Sequence, residues 1–445
     1  MKLKIYLFFI GILVLPFTLA AQNELTLYQM NRLPQRMNVN PAFMPDHSYM
    51  GIPFLSNLKF SQTQPFRYNQ VITKREDDTL VVKTQNFLDA MEKNSRVHNT
   101  FSWAIFEFGL PVASGKYYLH FGLKQILSQD VYLPYDLMNM VWHGNGSPEY
   151  LGKTTYFNTR VGGSAYDEWS AGFSGKFLND KLAVGITAKY LSGRFNIKTK
   201  KADFSFYTSP DFYDIYISSD LEIQTTGIDN AENYFDQPTM SIIFPGNRGL
   251  AADLGASYQI SNKFGISASV TDLGFIRWRK QTMTYVSKEP GQQFVYKGMT
   301  IGDFADMFTD FSSFGKNITD SIINLVEVDS IEGEKYTSGI PVGYNLAGNY
   351  RINDRSSATL LLHGMSCNHH FYPALSAGYS INATSWFGLN VTYNLYNYQY
   401  YNVGLGLRLG GKGFQFYVVT DNLPGIIFPR GTNNYGVQFG LNVGL

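Results

Sequence analysis

The chain has 445 residues, enough for two or three globular domains or for one large barrel. Its 36 Lys and Arg residues nearly balance 35 Asp and Glu, and the net charge of +1 argues against a nucleic-acid partner, which requires a basic face. Charged residues make up only 16%, against about 25% in ordinary soluble domains, whereas aromatic residues also reach 16% and glycines number 41. This composition is typical of a chain whose alternate side chains face lipid and water.

The N-terminus has the features of a secretory signal peptide. Two lysines precede an apolar run over residues 5–15, and Ala20 and Ala21 offer a cleavage site, so we predict a signal peptide over residues 1–21. An uncleaved anchor helix is the alternative, although the apolar run is too short to span a bilayer. No Cys follows the cleavage site to carry a lipid anchor, and the single Cys367 cannot form an internal disulfide.

Alternating apolar and polar residues predict β-strands along most of the remaining chain. The first candidates are residues 49–60, 101–110 and 115–126. Later segments flank short polar turns, which are centred on residues 179–180, 261–263, 353–355, 382–383 and 410–412. Long polar stretches occupy residues 62–98, 129–165, 225–248 and 297–337. Two of these stretches contain helix candidates, at residues 86–94 and 301–314.

These elements predict an all-β fold, a single transmembrane antiparallel β-barrel of about 14 strands with short helices in its long loops. Short turns at one end and long loops at the other are typical of barrels in the outer membrane of Gram-negative bacteria, where we place the protein. A soluble β-sandwich also alternates, but it seldom exposes so many aromatic and aliphatic faces. A sheet that spans lipid must close, because lipid offers an open edge no hydrogen-bond partner.

Two short polar clusters are candidates for binding chemistry. Around Trp278 lie the basic side chains of Arg277, Arg279 and Lys280. They either face anionic groups such as lipopolysaccharide phosphates or form a charged strand end beside an aromatic girdle. Within eight residues the chain also has His363, Cys367, His369 and His370. Because no second cluster completes a metal site and no catalytic motif stands out, we predict a non-enzymatic protein without metal or cofactor.

The end of the chain alternates without a break. Its apolar positions are Tyr435, Val437, Phe439, Leu441, Val443 and Leu445. We predict that this segment is the last strand, with Gln438 and Asn442 facing inward, and that it pairs with the first strand to close the barrel. It resembles the terminal signal that barrel-assembly machinery recognises, with Leu445 in place of the commoner Phe.

Deletion of residues 439–445 is therefore expected to abolish membrane assembly, because the barrel would lose both its closing strand and its assembly signal. Quantification of the truncated protein in isolated outer membranes checks this expectation. Normal levels there would contradict it.

Several motifs resemble the FadL-like superfamily of outer-membrane transporters. Asn40-Pro41-Ala42, within "NVNPAF", is similar to a motif near the mature N-terminus of that superfamily and of the PorV-like and PorP/SprF-like barrels of Bacteroidota type IX secretion. The opening "LTLYQMNRLPQRMNVNPAFMPD" is similar to the start of an uncharacterised Bacteroidota family related to these barrels. The segments "VTDLGFIRW" and "VTDNLPGIIFP" look like strand ends of the same group.

The resemblance implies a 14-stranded barrel over residues 49–445, with residues 22–48 inside the lumen as a plug-like segment. Asn40, Pro41 and Ala42 would then be a plug motif, since proline holds Asn40 extended and its amide can bond inward-facing strand residues. The alternative is a plain turn before the first strand.

For function, the resemblance implies passive transport of hydrophobic or amphipathic small molecules past the plug-like segment. The alternative is a scaffold barrel that binds a secretion-system protein in type IX secretion or gliding. A barrel hydrolase is a third class, although no nucleophile and histidine stand out as a pair. The expected partners are outer-membrane lipid and lipopolysaccharide, the barrel-assembly machinery, and a hydrophobic small molecule or a secretion-system protein, with no nucleic acid.

Overall fold

The computed structural model describes residues 24–93, 96–227, 246–296, 328–368, 370–396 and 399–444. These residues form a closed barrel of 14 antiparallel strands, in which successive strands pair and the last pairs with the first. The all-β prediction of about 14 strands is therefore confirmed. The predicted signal peptide lies outside the described residues.

We number the barrel strands β1 to β14 in chain order. Two of them are interrupted: β1 consists of Tyr49–Gly51 and Leu58–Thr63, and β8 of Tyr336–Gly339 and Val342–Arg351. The others from β2 to β7 are Arg96–Val112, Tyr117–Tyr132, Arg160–Phe177, Leu182–Thr208, Asn247–Gln259 and Phe264–Trp278. Those from β9 to β14 are Ser356–Cys367, His370–Ile381, Phe387–Tyr396, Gln399–Gly410, Phe414–Thr420 and Asn434–Gly444.

The wall of the barrel is apolar outside and polar inside. On β9, Leu360 and Leu362 are 55% and 52% exposed, whereas the intervening Leu361 is fully buried and His363 is 5% exposed. On β5, Ile186 faces outward and its neighbour Thr187 inward. Because side chains alternate along a strand, the sequence period of two directly produces a lipid-facing outside and a polar lumen.

The two ends of the barrel differ. At one end the strands are joined by short turns, including the predicted Asn179-Asp180 turn, where both residues have positive φ (55° and 65°). At the other end most connections are long, which is the end that faces outward in outer-membrane barrels. Two connections there are short, because only two residues separate β9 from β10 and β11 from β12.

The long connections contain small elements of their own. We number the helices α1 to α5, which are Glu24–Gln29, Tyr68–Val71, Thr84–Lys93, Tyr135–His143 and Leu423–Ile427. α3 corresponds to the helix predicted at residues 86–94, and the helix predicted at 301–314 lies outside the described residues. Single 3-10 turns occupy Pro34–Asn38 and Pro429–Gly431. Within the described part of the chain, no helix is long and apolar enough to cross a bilayer.

β5 continues beyond its pairing with β6 and supports a sheet outside the barrel. Its far half pairs with Ile215–Thr226, which in turn pairs with Thr282–Ser287 and Gln293–Tyr296. The strand Val328–Glu332 adds to Thr282–Ser287, and Thr154–Asn158 pairs with the end of β5. A separate hairpin consists of Ile72–Lys74 and Leu80–Val82. We call the sheet built on β5 the outer sheet.

The first predicted strands need correction at their boundaries. The strand predicted over residues 49–60 is interrupted between Gly51 and Leu58, where Phe54 adopts a positive φ of 63°. The interruption keeps its backbone bonds, since the amide of Leu441 on β14 donates to the carbonyl of Leu55 at 2.8 Å. The strand predicted over 101–110 is β2, which is longer in both directions.

Candidate functional site

The N-terminal segment, defined here as residues 24–46, lies inside the barrel. It begins with α1 and makes a 3-10 turn at Pro34–Asn38 before it leaves for β1. Its apolar side chains form a small core with inward-facing strand residues, whose members are Leu25, Leu27, Tyr28, Met30, Leu33, Leu361, Tyr417 and Val419, each at most 4% exposed. Each fully buried leucine stabilises this arrangement by about 1.5–3 kcal/mol.

The start of α1 is held by Asp421, which follows β13. The two carboxylate oxygens of Asp421 accept hydrogen bonds from the backbone amides of Leu25 (3.1 Å) and Thr26 (2.7 Å). The first amides of a helix have no partner within the helix, and negative charge is favoured at that end. The hydroxyl of Thr26 also bonds the hydroxyl of Thr392 on β11 at 2.8 Å.

Asp421 makes the docking of α1 dependent on pH. Burial raises the pKa of the Asp421 carboxyl to about 7, although the hydrogen bonds from α1 lower it. The pKa of an aspartate in the unfolded chain is about 3.9, so folding takes up a proton and the free energy of unfolding falls as pH rises from about 4 to about 7.

Asp421→Asn cannot titrate, and we expect its urea-unfolding midpoint to change less between pH 5 and pH 8 than that of the unsubstituted protein. An equal change in both proteins would contradict this.

Gln29 fixes the other end of α1. Its side-chain amide donates to the hydroxyl of Ser376 on β10 at 2.7 Å. Its backbone carbonyl accepts from the hydroxyl of Ser380 (2.8 Å) and from the amide of Asn390 on β11 (3.2 Å). The helix therefore touches several neighbouring strands through polar groups that would otherwise be buried without partners.

The predicted motif Asn40-Pro41-Ala42 also lies against the inner wall. The side chain of Asn40 is fully buried, and its oxygen accepts from the amide of Ala42 at 3.0 Å. Its nitrogen donates to the hydroxyl of Tyr28 (3.1 Å) and to the carbonyl of Ala268 on β7 (3.3 Å). One amide therefore closes a local turn, braces the segment against itself and attaches it to the wall.

The backbone on either side of Asn40 is attached as well. The carbonyl of Val39 accepts from the hydroxyl of Ser269 on β7 (2.6 Å) and from the amide of Asn345 on β8 (3.2 Å). The carbonyl of Pro41 accepts from the hydroxyl of Ser174 on β4 at 2.6 Å. These contacts extend from β4 to β8 across one side of the lumen.

Two glycines allow the motif to approach so closely. A Cβ atom at Gly185 on β5 would lie 2.4 Å from the carbonyl carbon of Pro41. A Cβ atom at Gly255 on β6 would lie 2.2 Å from the side-chain oxygen of Asn40. Both distances are shorter than any real contact, so only glycine fits at these wall positions while the motif is docked.

The lumen contains a buried ionic network centred on Lys189 of β5. Its ammonium lies 2.8 Å from Asp253, 2.6 Å from Asp272 and 3.6 Å from Glu168. The side chains of Lys189, Asp253 and Glu168 are at most 6% exposed, whereas that of Asp272 is 34% exposed. Three carboxylates around one ammonium satisfy the lysine and join the neighbouring strands β4 to β7 along the inner wall.

A second cation links this network to the N-terminal segment. Lys124 of β3 lies 3.5 Å from Glu107 and 4.0 Å from Glu168, and it donates to the side-chain oxygen of Asn38 at 2.7 Å. Glu107 in turn accepts from the amides of Asn38 and Gln35, both at 3.3 Å. The segment is thus bonded to ionic groups on one side and to neutral polar groups on the other.

An apolar concavity of about 810 Å³ lies on the outer face of the same wall. Its exposed lining includes Ile186, Leu254, Leu346, Leu362 and Phe371. It also reaches Gly185, Gly255, Ser269 and Asn345, the positions whose inner side contacts the N-terminal segment. One stretch of wall therefore has the Asn40-Pro41-Ala42 motif inside and an apolar concavity outside.

The predicted terminal strand is β14. It pairs with β13 and with both pieces of β1, and Gln438 and Asn442 face inward at 2% exposure. Phe439 is exposed on the outside, and Val437, Leu441 and Val443 are half-buried on the same face. Tyr435 does not face lipid as predicted: it is 1% exposed, because its hydroxyl donates to the carbonyl of Thr432 in the preceding loop. Leu445 lies outside the described residues, and the assembly role stays a prediction.

The histidine-rich segment is divided by the strands. His363 is buried and its ring nitrogen bonds the side-chain oxygen of Asn345 at 2.8 Å, while Cys367 is a buried free thiol. His370 begins β10, and His369 lies outside the described residues. Among the described residues, no group of three or more potential ligands is placed to hold a metal ion.

Several solved structures are similar to this chain. A Pseudomonas aeruginosa FadL homologue has a TM-score of 0.37 and 11% identity, covering 95% of this chain and 97% of that one. The Ralstonia pickettii toluene transporter TbuX has a TM-score of 0.36 and 8% identity, covering 96% and 98%. The Pseudomonas putida toluene transporter TodX has a TM-score of 0.35 and 10% identity, covering 96% and 97%.

No curated protein matches the sequence of this chain. A family model described only as a family of unknown function, DUF5723, matches residues 41–421. That range includes most of the chain, from Pro41 in the N-terminal segment to Asp421, whose carboxylate binds the start of α1. The chain belongs to the DUF5723 family.

Proposed function

We propose that the protein is a passive transporter of small hydrophobic or amphipathic molecules across the outer membrane, and that the N-terminal segment moves to let them pass. The observation that supports this proposal is the stretch of wall over β5 to β8. The Asn40-Pro41-Ala42 motif covers its inner side, and the apolar concavity of about 810 Å³ lies on its outer side.

The lumen favours an amphipathic solute over a purely apolar one. Its inner wall is lined by serine, threonine and asparagine side chains and by the ionic network around Lys189. The free energy of an apolar group falls when it leaves water for the lipid-facing concavity. A polar group on the same molecule would still form hydrogen bonds with the side chains of the lumen. Movement of the segment requires its hydrogen bonds, a small apolar core and the ion pairs of Glu24 and Asp46 with lysines of the barrel to separate, as in local opening of a folded protein.

Transport by the reconstituted barrel tests the proposal. The full mature chain is placed in liposomes loaded with an amphipathic anionic fluorophore that crosses protein-free bilayers slowly, and efflux is recorded by quenching outside. We expect efflux to rise in proportion to the amount of protein, with little movement of a sugar of similar size. If neither solute moves faster than in protein-free liposomes, the protein is not a transporter of this kind.

The outer sheet favours a second candidate, a scaffold barrel that binds a secretion-system protein. It carries aromatic side chains in the open, with Tyr156, Phe212 and Tyr213 at 74%, 82% and 58% exposure. Exposed aromatic residues of this kind are common at protein interfaces. A tagged full-length chain isolated from native membranes would then bring down one partner in equal amount, and Phe212→Ser with Tyr213→Ser would lose it. Absence of such a partner would favour transport over the scaffold.

A further inference from the structure

The outer wall changes from apolar to basic at one level near the long-loop end of the barrel. On the outward face of β7, Leu273 and Phe275 are 54% and 37% exposed, and the next outward residue is Arg277. On β6, Leu250 is 62% exposed and the next outward residue toward the same end is Arg248. The apolar belt of the barrel therefore ends in arginine on two neighbouring strands.

These two arginines face each other. Arg248 lies directly opposite Arg277 in the pairing of β6 with β7, and like charges at opposed positions destabilise a sheet. Neither residue forms an ion pair with any described residue, and the same holds for Arg279 and Lys335. Arg277 is oriented by the ring of Phe275, whose centroid lies 5.3 Å from the guanidinium carbon. A bound anion would remove the repulsion.

A polar pocket of about 310 Å³ lies beside the arginines. Its lining contains three of the cations, Arg277, Arg279 and Lys335, together with Trp278, Tyr336 and Thr337. A further lysine, Lys198 of β5, donates to the carbonyl of Thr337 at 3.1 Å and so adds positive charge at the rim. Glu334 adjoins Lys335 in the chain but does not line the pocket.

Buried groups hold the pocket in shape. The side-chain oxygen of Asn247, which is 2% exposed, accepts from the backbone amides of Arg279 (2.8 Å) and Lys280 (2.9 Å). The indole nitrogen of Trp278, which is fully buried, donates to the hydroxyl of Ser338 at 2.9 Å. The backbone at the end of β7 and the start of β8 is thus fixed beneath the exposed cations.

We propose that this pocket binds the phosphate group of a phosphorylated glycolipid in the outer leaflet. A guanidinium group can donate two parallel N–H hydrogen bonds to the oxygens of one phosphate, and a lysine ammonium adds a further positive charge. Arg277 and Arg248 are the next outward-facing residues after Phe275 and Leu250 toward the long-loop end. The pocket that Arg277 lines therefore lies at the level where lipid headgroups meet the apolar belt. The long-loop end of such barrels faces the outside, so the lipid is one of the outer leaflet. This position favours a phosphate anchored in lipid over a free phosphate ion.

Native mass spectrometry of the full mature chain in detergent tests the proposal. The probes are a bisphosphorylated lipid A-type glycolipid, the same glycolipid without phosphates, and inorganic phosphate. Arg277→Gln, Arg279→Gln and Lys335→Gln are combined in one variant. We expect the phosphorylated glycolipid to bind tighter than its phosphate-free form. The triple variant should lose about fivefold in affinity for each cation removed, or about 100-fold in total.

The matched control removes surface lysines outside the pocket, with Lys200→Gln and Lys201→Gln on the far half of β5. This control should bind the glycolipid like the unsubstituted protein, and a shift on unheated gel electrophoresis shows that each variant remains folded. Equal binding by the triple variant, or no preference for the phosphorylated lipid, would overturn the proposal. Inorganic phosphate that competes at equal concentration would overturn the assignment to lipid.

Discussion

Replacement of Gly255 by valine is expected to displace the Asn40-Pro41-Ala42 motif from the inner wall. The new Cβ atom would lie 2.2 Å from the side-chain oxygen of Asn40, 2.8 Å from Cδ of Pro41 and 3.1 Å from the amide nitrogen of Ala42. Two of these neighbours belong to the proline ring and the backbone, so a rotamer change alone cannot relieve the clash. Overpacking of this kind costs about 1–3 kcal/mol, which increases the undocked population about 5- to 150-fold.

The displacement is measurable by the reactivity of a single thiol. Ala42 is 3% exposed, so Ala42→Cys, in a background with Cys367→Ala, places a unique buried thiol within the docked motif. We expect a soluble maleimide to label it faster in the Gly255→Val protein. The matched control is Gly339→Val on β8, because a Cβ atom there meets nothing within 4 Å. Equal labelling rates in the Gly255→Val and Gly339→Val proteins would contradict the docked arrangement.

Replacement of Lys189 by methionine is expected to destabilise the barrel strongly. The substitution keeps the length of the side chain but leaves Asp253, which is 2% exposed, without its cation and leaves the equally buried Glu168 with only Lys124, 4.0 Å away. Removal of one partner from a buried ion pair costs about 3–5 kcal/mol. Asp272 contributes less to the loss, because its side chain is 34% exposed and water can solvate it.

Urea unfolding in lipid vesicles measures the loss. Lys200→Met, which breaks a pair with Glu222 at a half-exposed site, should cost about 0–1 kcal/mol and serves as the control. Addition of Asp253→Asn to Lys189→Met should restore part of the stability, since it removes one of the stranded charges. A Lys189→Met barrel as stable as the Lys200→Met barrel would show that the network does not stabilise the fold.

The wall of the barrel could be predicted from the sequence, because alternate side chains of a strand point to opposite faces of the sheet. In the hairpin of β4 and β5, around the predicted turn at residues 179–180, the apolar side chains of Phe173, Val184 and Ile186 face outward at 45%, 41% and 50% exposure. No prediction from the sequence singled out Lys189, although a charged residue between outward apolar neighbours on a strand is a signal for a network in the lumen. Its three carboxylate partners come from three other strands, and a local pattern cannot assign them.

The contacts of the N-terminal segment lie beyond what periodicity can predict. Leu25 and Asp421 are 396 residues apart in the chain, and Gln35 and Asn442 are 407 apart. Such pairs are brought together only when the barrel closes, so no local pattern contains them. The sequence does contain the motif Asn40-Pro41-Ala42 and many glycines in its strands. Which glycines face the motif becomes visible only in the structure.

Tyr435 and the first strand show a different limit. Alternation predicted that Tyr435 faces lipid. The loop before β14 instead folds back over the tyrosine, and the carbonyl of Thr432 accepts a hydrogen bond from its hydroxyl. Likewise the alternation over residues 49–60 predicted an unbroken strand, but β1 is interrupted between Gly51 and Leu58, and the backbone of the interruption bonds to β14. In both places a loop contact overrides a pattern that is otherwise consistent.

The central claim is that the docked N-terminal segment controls passage through the barrel. The most direct test is the efflux rate of the amphipathic fluorophore from liposomes that contain equal amounts of folded unsubstituted, Gly255→Val or Gly339→Val protein. The account predicts faster efflux through the Gly255→Val barrel, by up to the 5- to 150-fold gain in undocked segment, and an unchanged rate for Gly339→Val. Equal efflux through all three barrels, with the Gly255→Val motif shown by thiol labelling to be displaced, would contradict it.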